Sequence, residues 1–139
     1  MRKQRDERVL YDEDDEELTK EELGELKQKL LEERERVKER LARHREDANA
    51  LDTGPLTDEV DQASQASDHA YFARLIDKEG KLLKRIDHAL QKFETGEYGL
   101  CEGTGEPINK KRLMLRPWTR YSIEHKEHLE RQRLRGRQR

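Results

Sequence analysis

Apolar residues recur at helical spacing along the first half of the chain. After Thr19 and Glu22, which have the spacing of a helix capping box, a near-heptad stripe of apolar residues runs between charged positions. The stripe consists of Leu23, Leu26, Leu30, Val37 and Leu41. This pattern predicts a helix over residues 19–50, which at about 1.5 Å per residue would be about 45 Å long.

A second stripe of apolar residues begins at Val60 and continues to Phe93. Its first members are small, and its later members are larger. They are Val60, Ala63, Ala66, Ala70, Tyr71, Leu75, Leu82, Ile86, Leu90 and Phe93. The stripe stops at Thr95 and Gly96, where a glycine is typical of a helix end. The two stripes predict a helical hairpin that is slender at its far end and better packed towards its base.

Residues 51–66, LDTGPLTDEVDQASQA, hold the Gly-Pro interruption between the two stripes. The interruption predicts that the helices meet there and run antiparallel, so that residues 51–66 form the tip of a coiled-coil hairpin over residues 18–95. The tip carries Asp58, Asp61 and Ala63 with DxxDxA spacing. Two carboxylates at this spacing share one helix face and repel each other, which favours presentation to a partner. A structural alternative is that Asp58, in competition with Thr57, caps the second helix while Asp61 complements its dipole.

Residues 96–139 differ in composition from the two helical segments. Glycines and prolines surround a single cysteine, and a short final helix is expected after them. Gly99, Gly103 and Gly105 around Cys101 are typical of a zinc-ribbon knuckle. Such a zinc site needs two CxxC pairs, whereas the corresponding positions here are Cys101, Thr104, Ser122 and His125. Only two of the four are good zinc ligands, so we expect a degenerate zinc-ribbon-like globular region without zinc.

In place of the metal, the sequence predicts a small apolar core in this region. Its expected members are Leu100, Ile108, Leu113, Met114, Leu115, Trp118, Tyr121 and Ile123. A single cysteine excludes an internal disulfide, and we interpret Cys101 as a buried thiol rather than a redox sensor.

Composition narrows the class of protein further. Charged residues make up 45% of the 139 and hydrophobic residues 31%, which indicates an elongated, mainly α-helical protein with little core. The net charge of −2 argues against coating nucleic acid.

Residues 1–17 are predicted to be a flexible arm, and the lack of a signal peptide or membrane span predicts a cytoplasmic protein. The sequence contains no nucleophile–base pair and no complete set of metal ligands, so we do not expect an enzyme.

Three motifs together resemble the DksA/TraR family of bacterial transcription regulators. They are DEVDQA at 58–63, YGLCEGTGEPI at 98–108 and KKRLMLRP at 110–117, within a resemblance that covers residues 18–129. The resemblance implies binding to RNA polymerase, with the hairpin inserted into the secondary channel so that the tip modulates initiation. Asp58, Asp61 and Ala63 would then be the polymerase-binding residues. The four zinc positions are similar to those of family members that lack a complete zinc site.

The same resemblance implies a site for guanosine tetraphosphate (ppGpp), the nucleotide of the stringent response. The matching residues are Lys78, Leu82, Arg85, Arg116 and Lys126. Cationic side chains suit phosphates, and a leucine supplies an apolar wall.

Two other classes of function compete with this interpretation. A coiled-coil adaptor or scaffold would dimerise through its heptads, whereas an intramolecular hairpin is expected to be a monomer. A degenerate zinc ribbon could instead bind DNA through the basic tail RQRLRGRQR, and that binding would be sensitive to salt.

Overall fold

A computed structural model of the protein describes residues 17–51 and 58–137. These residues form helices α1 (Lys20–Ala50), α2 (Glu59–Thr95), α3 (Lys110–Leu115) and α4 (Ile123–Arg137). The mainly α prediction is therefore confirmed, with bounds of α1 and α2 close to those expected. The first sixteen residues of the predicted arm, residues 52–57 of the tip and residues 138–139 lie outside the described residues. The chain divides into two compact units, one of residues 31–87 and one that combines residues 1–30 with residues 88–139.

Both predicted helix-end signals are present in the structure. The Glu22 amide donates to the Thr19 hydroxyl at 3.1 Å, and the Thr19 amide donates to the Glu22 carboxylate at 3.0 Å. These reciprocal bonds satisfy donors that the first turn of α1 would otherwise leave unpaired. At the end of α2, Gly96 has a φ of 78° and the Glu97 amide donates to the Lys92 carbonyl at 3.0 Å. This bond pattern and the left-handed glycine terminate α2.

In the unit of residues 31–87, ion pairs join α1 to α2. Arg34 contacts Asp87 at 2.6 Å, and Arg40 contacts Glu79 at 3.2 Å. Residue numbers rise on α1 as they fall on α2, so the two helix segments are antiparallel, as a hairpin requires. The buried apolar residues of this unit are Val37, Leu41 and Ile86.

The described contacts between the two helix segments extend to Leu51, just past the end of α1, where the Gln65 side-chain amide donates to the Leu51 carbonyl. Residues 52–57, which connect the helices in sequence, lie outside the described residues. Val60, which the sequence placed in the apolar stripe, is 72% exposed. Tyr71 is also exposed. Its neighbour Phe72, which points in a different direction from the helix axis, is the aromatic residue that is half-buried.

The second unit has a core of four buried residues, to which the knuckle (residues 99–108) contributes two. The core consists of Leu26, Cys101, Ile108 and Leu113, with Leu18, Phe93, Tyr98, Met114 and Tyr121 packed against it. The Phe93 and Tyr98 rings stack with centroids 4.0 Å apart, and the Tyr98 hydroxyl donates to the Pro117 carbonyl at 2.8 Å. Apolar packing and this hydrogen bond tie the end of α2 to the segment after α3.

Three residues expected in this core are exposed, and that part of the prediction is wrong. Leu100 is 36% exposed because it precedes Cys101 in extended backbone, where neighbouring side chains point to opposite sides. Leu115 is 81% exposed because residues two apart in a helix point to nearly opposite sides, and Leu113 points into the core. Ile123, 49% exposed, begins α4, a helix with no buried residue.

Candidate functional site

The acidic start of α2 is built around Asp58. Its carboxylate accepts a hydrogen bond from the Val60 amide at 3.0 Å, and its carbonyl accepts one from the Gln62 amide at 2.9 Å. These are the two contacts of an N-cap residue. The structure therefore favours the capping interpretation for Asp58, whereas the competitor Thr57 lies outside the described residues.

Asp61 and Ala63 lie in the first turns of the same helix and are both exposed. Within the part of the chain that the structure describes, the Asp61 carboxylate forms no hydrogen bond or ion pair. It lies four residues before Gln65, whose side-chain amide donates to the Leu51 carbonyl. Of the two aspartates, Asp61 is thus the one whose carboxylate is available to a partner.

The knuckle is a tight turn closed by backbone hydrogen bonds. Leu100 and Pro107 form an antiparallel bridge, and the Cys101 amide donates to the Glu106 carbonyl at 2.7 Å. Gly105 has a φ of 75°, a conformation that a residue with a Cβ atom would adopt only with strain. The glycine-rich sequence therefore builds the predicted knuckle.

The structure brings the four degenerate zinc positions together. The Cys101 sulfur is hydrogen bonded to Thr104 and Ser122, and the Ser122 hydroxyl also accepts from the His125 amide at 3.2 Å. The His125 ring lies so close to Gly103 that a Cβ atom there would approach it to 2.1 Å. Gly103 is thus needed for the approach of the imidazole.

This arrangement does not fit a tetrahedral zinc site. Two of the four positions are neutral hydroxyl groups, which are poor zinc ligands and are already hydrogen bonded to the sulfur. Burial raises the pKa of the Cys101 thiol, but the hydrogen bonds from Thr104 and Ser122 outweigh burial and lower the pKa to about 7. Thr104 and Ser122 thus interact with the Cys101 sulfur at positions where a zinc ribbon has further thiolates.

Glu102 is a residue of the knuckle that sequence reasoning missed. Its carboxylate contacts Arg120 at 2.8 Å, His88 at 3.0 Å and Lys92 at 3.1 Å. Partial burial raises the pKa of Glu102, but the hydrogen bonds from these three side chains dominate and bring it to about 2. The one sequence signal was the spacing of His88 and Lys92, which places both on one face of α2.

The five residues matched to the nucleotide site lie in both units. Lys78, Leu82 and Arg85 share one face of α2 in the unit of residues 31–87, while Arg116 follows α3 and Lys126 lies in α4. None of their four cationic side chains forms an ion pair with another described residue. They therefore keep their charge available for an anionic ligand.

Comparison with known proteins identifies the family. Residues 16–93 match the model described as "DnaK suppressor protein DksA, N-terminal domain", and residues 96–124 match "Prokaryotic dksA/traR C4-type zinc finger". The chain belongs to the DksA/TraR family. Within the DksA/TraR family, the RNA polymerase-binding transcription factor DksA of Caulobacter vibrioides is 42% identical over 107 residues, covering 76% of this chain and 73% of the relative. The factor of that name from Escherichia coli is 40% identical over 60 residues, which are 43% of this chain and 40% of the relative.

Solved structures of the DksA/TraR family resemble this chain as well. Transcription factor DksA2 from Pseudomonas aeruginosa superimposes with a TM-score of 0.69 at 36% identity, covering 78% of this chain and 82% of that one. The RNA polymerase binding protein and transcriptional regulator Dks from Chlamydia trachomatis has a TM-score of 0.53 at 29% identity, covering 85% and 98%. The coiled-coil hairpin fold is that of the DksA/TraR family, although the matched zinc finger is of the C4 type and this chain has one cysteine.

Proposed function

We propose that this protein is a transcription regulator that binds bacterial RNA polymerase by inserting its coiled-coil tip into the secondary channel, where it modulates initiation. The observation that carries the proposal is the exposed Asp61 carboxylate in the first turn of α2, which forms no hydrogen bond or ion pair with another described residue. Relatives named as RNA polymerase-binding transcription factors support the choice of partner. The proposal implies a cytoplasmic protein that acts by binding and has no catalytic activity of its own.

The two aspartates have different roles in this proposal. Asp58 caps α2 and holds the first turn in place, while Asp61 presents its carboxylate to donors of the polymerase. Ala63, two residues further on, is exposed and small, so it allows close approach of the partner. Regulation should therefore depend on the charge of Asp61 and on the helix-capping bond of Asp58.

The test is an in vitro transcription assay with Asp61→Asn protein. The variant should still bind polymerase in a pull-down but lose most of its regulatory effect, because the amide keeps the shape of the side chain and removes its charge. Asp68→Asn is the matched control, since it removes one exposed carboxylate from the same helix. Regulation by Asp61→Asn protein at the wild-type level would overturn the assignment of the tip.

We also propose that guanosine tetraphosphate binds to Lys78, Leu82, Arg85, Arg116 and Lys126 in the polymerase complex. The four unpaired cations support this ligand, because phosphate groups accept bidentate hydrogen bonds from arginine. Arg85→Gln should weaken binding of radiolabelled nucleotide to the complex, whereas Arg74→Gln, an exposed arginine on the same helix, should not. Equal nucleotide binding by both variants would refute the site.

The proposed protein works without zinc and as a monomer. Metal analysis of purified protein should find less than one zinc per chain, and a chelator should leave the thermal melt unchanged, because hydrogen bonds to Cys101 hold the knuckle. A large fall in melting temperature on chelation would contradict this.

The ion pairs between α1 and α2 lie within one chain, so sedimentation should show a monomer, whereas a dimer would support the adaptor class.

A further inference from the structure

The second half of α4 carries an unusual concentration of positive charge. Arginines occupy every second position, at Arg131, Arg133, Arg135 and Arg137. All four are exposed, and none forms an ion pair or hydrogen bond with another described residue. Some arginines of the other helices do pair with carboxylates, as Arg34 does with Asp87.

Stabilisation of the helix itself accounts for only part of this charge. Cations near a helix C-terminus interact favourably with the dipole, but that effect is confined to the last turn. It can explain Arg135 and Arg137, which lie in the last turn of α4. Arg131 and Arg133 lie further from the end, and no residue of α4 is buried. Packing and the dipole therefore leave two of the four arginines without a role.

The spacing of the arginines places them on two sides of the helix. Since each residue turns the helix by about 100°, Arg131 and Arg135 fall on one side, and Arg133 and Arg137 fall on nearly the opposite side. A flat acidic protein surface would contact only one of these sides. The major groove of duplex DNA admits an α-helix and has a row of phosphates along each wall.

The composition of α4 disfavours two other anionic partners, single-stranded nucleic acid and a membrane surface. The helix has no phenylalanine, tyrosine or tryptophan on which the bases of a single strand could stack, and its two histidines, His125 and His128, lie outside the arginine-bearing half. Its large apolar residues are Ile123, Leu129 and Leu134, too few to form the continuous apolar face of a helix that lies on a membrane. Guanidinium groups on both sides of a slender helix match a double-stranded phosphate backbone best.

We propose that the arginine-bearing end of α4 binds the phosphate backbone of duplex DNA, independently of sequence. This contact is additional to the proposed polymerase binding and does not depend on it. Four phosphate contacts would give weak binding, with a slope of log affinity against log salt of about −3 to −4. The overall charge of −2 does not oppose this, because the positive charge is concentrated on one helix end.

The test measures binding of a fluorescent duplex of about 20 base pairs to the full chain at about 50 mM salt and above, without polymerase. The affinity of the variant Arg133→Gln, Arg135→Gln, Arg137→Gln for the duplex should be lower than that of wild type by about tenfold or more. Its slope of log affinity against log salt should be shallower by about 0.9 for each arginine replaced. The matched control is Arg43→Gln, Arg45→Gln, Arg74→Gln, which changes the net charge equally at three exposed arginines of the hairpin. It should bind DNA with the wild-type slope.

Further arms of the experiment separate the arginine surface from its alternatives. The variant Arg133→Lys, Arg135→Lys, Arg137→Lys should keep most of the salt slope, since it keeps the charge. Circular dichroism should show wild-type helix content in all variants, because the substituted side chains are exposed. Equal loss of DNA binding in both glutamine variants would overturn the proposal. Tighter binding to a single strand of equal length, to polyglutamate or to phosphatidylserine vesicles than to the duplex would also overturn it.

Discussion

In the knuckle, the Glu102 carboxylate receives hydrogen bonds from the side chains of Arg120, His88 and Lys92, whereas the Asp61 carboxylate at the start of α2 receives none from the described residues. The knuckle thus uses its charge to hold its own structure together. The start of α2 leaves charge exposed, at a small cost in repulsion between Asp58 and Asp61. The comparison teaches that substitutions in the knuckle should act on stability, while substitutions at the start of α2 should act mainly on function.

The largest effect on stability is expected from Leu113→Ala. Leu113 is fully buried in the core beside the knuckle, so the substitution should lower the free energy of unfolding by about 2–5 kcal/mol. Leu115→Ala, two residues away and 81% exposed, should change it by less than about 0.5 kcal/mol. Urea unfolding followed by circular dichroism measures both. Equal losses for the two variants would show that burial in the knuckle region does not determine its stability.

The second effect is that of Glu102→Gln, which removes the negative charge that Lys92 and Arg120 share. Lys92, whose side chain is 9% exposed, would lose its counter-ion, so we expect a loss of about 2–3 kcal/mol at neutral pH. Glu106→Gln, an exposed carboxylate of the same knuckle, is the control and should cost far less.

The pH dependence of this loss follows from the depressed pKa. In the folded protein the pKa of Glu102 is about 2, below the ordinary value of 4.5 that applies to the unfolded chain. The carboxylate therefore stabilises the fold fully above about pH 4.5, and this contribution disappears as the pH falls towards 2. The difference in unfolding free energy between wild type and Glu102→Gln should shrink over the same range. A difference that stays constant from pH 7 to pH 3 would contradict the ion-pair explanation.

The contrast between the two regions also decides what the sequence could predict. The capping box at Thr19 and the end of α2 at Gly96 depend on neighbours along the chain, so local patterns were sufficient. The spacing of the knuckle indicated the degenerate zinc positions, of which Thr104 and Ser122 lie within hydrogen-bonding reach of Cys101. The cluster around Glu102 was not predictable, because Glu102 and Arg120 lie in segments apart from the helix that carries His88 and Lys92, and their charges resemble the many others in the chain.

Orientation within short elements was the other limit of prediction. Apolar content alone placed Leu100 and Leu115 in the core, but a two-residue bridge and a six-residue helix show too little periodicity to reveal which face is buried. The long apolar stripes did reveal it for the buried residues Leu26, Leu30, Val37, Leu41 and Ile86. Near the start of α2 the stripe did not, since Val60 and Tyr71 are exposed.

The smallest effect on stability is expected from Asp58→Ala. Loss of the capping bond to the Val60 amide should cost about 1 kcal/mol, less than the loss expected for Glu102→Gln, because the bond is exposed and serves one helix end. Asp58→Asn keeps a capping oxygen and should retain most of this stability. Hydrogen exchange of the first α2 amides should accelerate in the alanine variant and not in the asparagine variant. If both variants exchange at the wild-type rate, Asp58 does not stabilise the start of α2, and its carboxylate would then be available to a partner as Asp61 is.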